Sequence, residues 1–600
     1  VHEVFALLLL VCFTFVPIKT VNMKSLLIPA LAALSLQAYA QTACMNGMAG
    51  NYPCRNMDLM KFMTLQECGC DPNGNTNDVW GWVSPASGKE FAILGCAEVT
   101  SFIDISDPVN PILVGTLPTH SVGSLWRDVE SRGNWLYVVS EAQGHGLQVF
   151  DLTQLDNVAN PPIVFSETAH YDQFSNCHTV NVDPVSGYVY AYGTNTYNGG
   201  EHIVDVSDPL NPVLAGGYDG SGYTHDGFAW TYDGPDQDYA GREIVIACNG
   251  RSNSDNDKLV IVDVTDKTDC QLIGEYNYGG QATTGYFHQG WITKNKKFFL
   301  MNDELDEMAL GNNQEPYGTR THIFNITNLD NVTYEGFYEG TSPAIDHNLY
   351  TRDQFVYESN YRSGVRVLDA IRVGTSELSE VAFFDLYPEN DNAQFSGTWS
   401  NYPYLPSGLV LATSMYDGFF IVKPTIITTS QDSWDLCSTE DVVFEIDINA
   451  ELAFPLTVGL EGLGGATASA AVINNQGVAS VTITGISTLS PGDYTPNLLL
   501  ISNFGEQYEI PLEVSVCSTI NVSEQAAGSL SAFPNPADNE VRIQLAKPVE
   551  SIQFFDVSGK LALSLATNGQ LSIQADVRSL ADGAYTLKAG NESMRLVIAR

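Results

Sequence analysis

Positive charge is scarce in this chain. Lys and Arg together number 27 in 600 residues, against 70 Asp and Glu, and the formal net charge is −43. Such an excess repels phosphate, which excludes nucleic acid and anionic membrane as partners. It suits solubility outside a cell, and it offers hard oxygen ligands to a divalent cation such as Ca²⁺. Long apolar runs are missing as well. After residue 40 no stretch is long enough to cross a bilayer, so no transmembrane anchor is expected in the mature chain. Nothing keeps a 3.6-residue hydrophobic period, which excludes helical repeats. There is no G-x-S-x-G elbow, H-E-x-x-H helix or phosphate-binding glycine loop, so the familiar hydrolase and nucleotide readings find no support. Cys68 and Cys70 lack zinc-knuckle spacing, and no second pair answers them.

What is present starts with an address. From Met23 the chain reads "MKSLLIPALAALSLQAYAQ", one Lys, an apolar core and Ala38-Tyr39-Ala40 before Gln41. That is the pattern of an export signal. Residues 1–22 open on Val and read as an over-extended start. Ten cysteines follow, at 44, 54, 68, 70, 96, 177, 248, 270, 437 and 517. An even count in an exported chain points to disulfides. Cys437 and Cys517 bracket a late module and are expected to pair.

One sentence of sequence is then written repeatedly. "FIDISDPVNPILVGTL" starts at Phe102, "HIVDVSDPLNPVLAGGY" at His202 and "LVIVDVTDKTDCQLIGEY" at Leu259. Aligned on the residue that ends the β-branched strand, the copies fall at Asp104, Asp151, Asp205, Asp263, Asn325, Asp369 and, degenerate, Lys423. Their spacing of roughly 44–62 residues is that of propeller blades. Each unit holds four strand signals separated by Gly/Pro turns. Seven such units predict a seven-bladed β-propeller in an all-β chain. The Asp is expected to hold the turn that follows by bonding its amides.

Residues 428–518 change character: few charges, alternating strands and Gly/Pro turns suggest a small Ig-like β-sandwich. The expected order is an over-extended start plus signal peptide over 1–40 and a Cys-containing segment over 41–76. The propeller follows over 77–424, then the sandwich over 428–518, a linker over 519–528 and a last β-sandwich over 529–600.

Two resemblances follow from these motifs. "LVIVD" at residues 259–263 is the signature of LVIVD-repeat proteins. The wider pattern resembles the choice-of-anchor B family, through "WGW" at 80–82, "WRD" at 126–128, "THDG" at 224–227, "HQGW" at 288–291, "DHNLY" at 346–350 and "WSNYPY" at 399–404. That resemblance implies a secreted or surface-held propeller and no particular reaction. The end of the chain, with "AFPNPADNEVRIQL" from Ala532, "FFDVSGK" from Phe554 and "LADGAYTLK" from Leu580, resembles a type A sorting domain of type IX secretion. It implies a Bacteroidetes-like route through the periplasm to the outer cell surface, with residues 529–600 engaging the secretion machinery.

The candidate site lies where innermost strands line a channel. Their first residues are expected to be Trp80, Arg127, His178, His225, His288, His347 and Trp399, flanked by Asp128, Asp226, Gln289 and Asp346. Loops after the second strands should bring Glu98, Glu141, Asn195, Asn249, Asp303, Glu304, Asn360 and Asp417 to the same face. Arg127, Asp128, His178, His225, Asp226, His288, Gln289, Asp346, His347 and Trp399 are therefore candidate ligand contacts at a solvent-filled mouth. His178, His225, His288 and His347, with Glu141, Asp303 and Glu304, are candidate ligands of a divalent metal, Ca²⁺ or a transition metal. The alternative is that these histidines fix blade geometry. The leading functional reading is a non-enzymatic propeller that binds an extracellular glycan or protein. The other is a metal-assisted hydrolase or lyase in the funnel.

Overall fold

The computed structural model describes residues 41–250, 257–276, 285–309, 318–436, 441–517 and 530–600, apart from 558 and 591. The signal sequence, the linker over 519–528 and Cys437 lie outside the described residues.

Seven antiparallel sheets, each built mainly of four strands, form the propeller. Their innermost strands are Thr76–Val83, Arg127–Arg132, Thr179–Val182, Asp226–Thr231, Phe287–Ile292, Asn348–Arg352 and Thr398–Tyr402, for blades 1 to 7. The second and third strands are almost wholly buried, as in Glu243–Asn249 and Lys258–Asp263 of blade 4. Their Val/Ile-rich runs pack face to face with the next blade, so each hydrophobic layer is shared by neighbours. One cluster joins Ile244, Ile246 and Ile261 of blade 4 to Phe299, Met301 and Phe324 of blade 5.

The repeated Asp acts locally. Asp104 accepts from the Ser106 amide at 3.1 Å, Asp205 from Ser207 at 2.8 Å and Asp263 from Thr265 at 3.0 Å. Asp151, Asn325 and Asp369 make the same bond two residues on. Each is an Asx turn that reverses the chain out of the third strand.

The ring is closed by a strand that carries no repeat. Met57–Thr64, within the segment read as preceding the propeller, pairs antiparallel with Gly418–Pro424 and becomes the outer strand of blade 7. Tyr52–Arg55 adds to the outer edge of blade 6 in the same way. The propeller therefore takes strands from both sides of its repeats. Cys44–Cys54 and Cys70–Cys96 are disulfides flanking that closing strand. Cys517 is also disulfide-bonded.

After the propeller come three small sheets, two of which carry most of the strands. Ile427–Thr429, Val442–Ile448, Gly477–Thr484 and Thr467–Ser469 make one, and Leu456–Glu461, Asn497–Ser502 and Gln507–Pro511 the other. This sandwich rests on blade 6, where the Tyr508 hydroxyl donates to Asp369 at 2.6 Å and stacks on Phe355. The C-terminal domain has a core of its own, in which Val541, Ile543, Phe554, Leu587 and Leu596 pack between a three- and a four-stranded sheet. Asn535, from the Pro-Asn-Pro motif, donates to Arg595 O and accepts from the Val597 amide, which pins the last strand.

Candidate functional site

The histidine positions converge as the repeat implies. His178, His225, His288 and His347 sit just before or at the start of the inner strands of blades 3 to 6. Their rings follow one another at 4.0, 4.3 and 4.2 Å between centroids, and His347 meets Trp399 at 4.9 Å. All line a cavity in the channel together with Asp78, Arg127, Asp128, Asp226 and Gln289.

That cavity is not a solvent-filled mouth. It measures about 40 Å³, room for roughly three waters. His225 is 5% exposed, and His288 and His347 are 3% exposed. The cover comes partly from the next blade and partly from the same one: Tyr286 of blade 5 packs on His225 at 5.0 Å, and Tyr361, from the loop after the second strand of blade 6, on His347 at 4.8 Å. Burial, reinforced by neighbouring imidazoles, holds His225 and His288 far below the ordinary histidine range. Burial does the same to His347. These three rings stay neutral well below pH 6.5, the ordinary point of imidazole protonation.

Each ring has two ends with different work. His347 Nδ1 donates to Trp399 O of blade 7 at 2.5 Å, and His288 Nδ1 to His347 O of blade 6 at 3.1 Å. Inner strands diverge from the axis and share no backbone ladder, so side chains satisfy the exposed carbonyls and amides. Gln289 does this too, accepting from the Leu349 amide at 2.8 Å, as does Asp128 from Val180 at 2.6 Å. The Nε2 ends of His288 and His347 face Glu304 Oε1, at 3.9 and 3.7 Å. Glu304 comes from the loop after the second strand of blade 5, as expected. Burial raises its carboxyl to about 7, against the hydroxyl of Tyr361, which donates to it at 2.8 Å. Glu141 reaches His178 Nδ1 at 2.6 Å.

Two expectations, on Trp80 and on Asp346, need correcting. Trp80 is not the first residue of its strand, because Thr76–Val83 begins four positions earlier and bulges before Val79. Asn77 takes the histidine-like place, donating to Leu125 O at 2.7 Å. Asp346 does not line the channel cavity: it accepts from the Arg320 amide beside the buried Asp306 and Glu307. Asp303 accepts from the amides of Tyr286 and Leu305. Arg127 is held by Cys96 O and His145. Asn195, Asn249 and Asp417 bond within or between loops.

The sequence reading missed the other end of the channel. At the C-terminal ends of the inner strands a cavity of about 610 Å³ is lined by Trp80, Trp82, Phe228, Trp230, Trp291, Tyr402 and Tyr404. The signal was present in period-two aromatics, "WGW", "FAW" and "YPY", which place rings on one face of a strand. Gly81 is required between two of them: a Cβ there would lie 2.3 Å from the Tyr402 ring. Glu130, Asn181, Asp183, Asp233, Lys294 and Lys296 add polar groups. Lys294 pairs with Asp353 and Glu509, and Lys296 with Asp233, so the lining presents little uncompensated positive charge.

Buried acids set a pH dependence away from either cavity. Glu201, in the third strand of blade 3, is fully buried and accepts from Ser221 at 3.1 Å. Burial raises its carboxyl from 4.5 to about 7. Between these values the folded chain keeps a proton the unfolded chain has lost, so stability falls as pH rises through the window. The loss is complete above pH 7 and amounts to about 3 kcal/mol. Glu201→Gln should therefore raise the melting temperature at pH 8 and leave it nearly unchanged at pH 4. Melts of both chains across that range, in EDTA, check this, and parallel curves would refute it.

Comparison with known proteins agrees with the strand record. Residues 531–598 match the secretion system C-terminal sorting domain. Residues 101–119, 188–220 and 254–278 match the LVIVD repeat and fall in blades 1, 3 and 4. No curated protein matches the chain. Likeness to solved structures is low. A Lactobacillus plantarum protein is 10% identical over 84% of this chain and 100% of its own, with TM-score 0.25. A Bombyx mori GH32 β-fructofuranosidase is 12% identical over 88% and 93%, with TM-score 0.28. A humanized mutant of Chaetomium thermophilum Polycomb Repressive Complex 2 is 8% identical over 62% and 97%, with TM-score 0.36. No functional argument follows at such scores. The repeats and the tail identify the chain as an LVIVD-repeat propeller sent to the cell surface or beyond by type IX secretion.

Proposed function

We propose that the protein binds an uncharged extracellular glycan in the aromatic cavity, as a surface-displayed, non-enzymatic propeller. The observation that carries this reading is the cavity of about 610 Å³ walled by four indoles, two phenols and Phe228. Its size falls among small-ligand sites, roughly 300–1,000 Å³. Flat rings offer apolar faces to the C–H faces of sugars, while carboxylates, amides and hydroxyls between them bond sugar hydroxyls. A net charge of −43 disfavours acidic ligands. A folded protein partner needs about 800 Å² of surface per side, which a concave cavity does not offer. The choice-of-anchor B resemblance, of surface-held propellers, supports the same reading.

Intrinsic indole fluorescence, titrated with a library of neutral oligosaccharides, tests it. At least one sugar class should change the emission and saturate. Trp291→Ala and Trp80→Ala, both at half-buried rings, should each weaken that binding by about tenfold or more. Absence of binding across the library, or affinity untouched by both substitutions, would sink the proposal.

A further inference from the structure

At the other end of the channel, the geometry points to a divalent transition-metal site formed by His288 Nε2, His347 Nε2 and the Glu304 carboxylate. These three donor atoms all lie within 4.8 Å of one another. The separations from Glu304 Oε1, 3.9 and 3.7 Å, are too long for hydrogen bonds. They are close to what an ion imposes, because two ligands about 2.1 Å from a tetrahedral zinc stand roughly 3.4 Å apart.

Proton placement makes the case chemical rather than only metric. A backbone carbonyl can only accept, so the Nδ1 atoms that meet His347 O and Trp399 O must carry the hydrogens. In a neutral ring the Nε2 atom is then a bare lone pair. Two lone pairs and a carboxyl oxygen thus face one another at distances that no hydrogen bond spans, and a cation between them would satisfy all three. The supporting bonds are those of a metal centre: each imidazole is fixed through its far nitrogen, and the carboxylate is held by Tyr361. Tyr361 is kept at φ +29°, a strained conformation for an aromatic residue.

Two imidazoles and one carboxylate select a borderline ion such as Zn²⁺ over Ca²⁺ or Mg²⁺, which prefer all-oxygen shells. Ligands come from blades 5 and 6, so the ion would also tie two blades together. His120, Glu167 and His170 form a second cluster of three, near the surface of blades 1 and 2, and serve as the internal control.

The exported full chain, stripped with EDTA and titrated with Zn²⁺, gives the test. The parent should take up one equivalent that raises its melting temperature, and equal Ca²⁺ should not. Glu304→Gln and His347→Asn should each lower that affinity by about 100-fold or more. Asn keeps an N–H for Trp399 O, so His347→Asn preserves the blade contact while removing the Nε2 ligand. Loaded with Cu²⁺, the parent should show spin-resonance coupling to two imidazole nitrogens and His347→Asn to one. Zn²⁺ binding that survives both variants, disappears only in His120→Asn, or is absent from the parent would overturn the assignment.

Discussion

A chain lacking residues 41–64 is expected not to hold a closed propeller. Met57–Thr64 is the fourth strand of blade 7, and its partner Gly418–Pro424 carries Phe419, Phe420, Ile421 and Val422, all fully buried. Removing the strand opens one side of this run to water and also removes the buried Met57 and Met63. Losing the burial of a large apolar side chain costs about 1.5–3 kcal/mol, so four or five such losses approach the 5–15 kcal/mol of a whole domain. The bared edge would also offer unpaired N–H and C=O groups to other chains. Aggregation, or a denaturant midpoint far below that of the parent, is the expected result. Met63→Asp, which buries a charge in the intact strand, should lower the midpoint in the same direction. Denaturant curves indistinguishable from the parent for both chains would show that the ring closes without this strand.

That strand explains where sequence reading stops. The Asx turns at Asp104, Asp205 and Asp263 were legible because their chemistry spans two residues. So was the count of blades, since six of the seven carry such a turn and the last copy, ending on Lys423, keeps the spacing. "MDLMKFMT" has no repeat grammar, and its pairing partner lies some 360 residues away. Only the need to close the ring assigns it, and the sequence does not state that need.

The site divides the same way. Four histidines at one repeat position and Glu304 in the following loop were legible, because position in a blade sets position in the channel. Their burial was not, since Tyr286 reaches His225 from the next blade and Tyr361 reaches His347 from a loop of its own blade. Nor did residue type reveal that scaffold and lone pair are opposite ends of one imidazole. Trp80 was misplaced by a bulge, a register effect that leaves no clear trace in composition. The aromatic cavity was written in alternation but needs the inner strands of four blades to bring its rings together.

Deleting residues 529–600 should leave a folded propeller and nearly abolish its appearance at the cell surface. The tail's core is drawn from residues 530 to 598 alone, while the propeller clusters draw only on residues before the sandwich. Their stabilities should therefore be additive and separable, as for independent units. The truncated chain should melt within a few degrees of the parent's propeller transition, a shift equivalent to less than about 1 kcal/mol. It should accumulate inside the envelope, with surface-accessible protein reduced at least about tenfold. Asn535→Ala separates fold from mere presence of the tail. It removes the clasp on Arg595 O and the Val597 amide, a loss of about 1–3 kcal/mol to that domain. If the sorting machinery reads the folded sandwich, this substitution should lower surface display while leaving the propeller transition unmoved. Protease shaving of intact cells, with fractionation, measures both chains. Full display of the truncated protein would refute the role of the tail as an address, and full display of Asn535→Ala would show that its last-strand clasp is not what the machinery recognises.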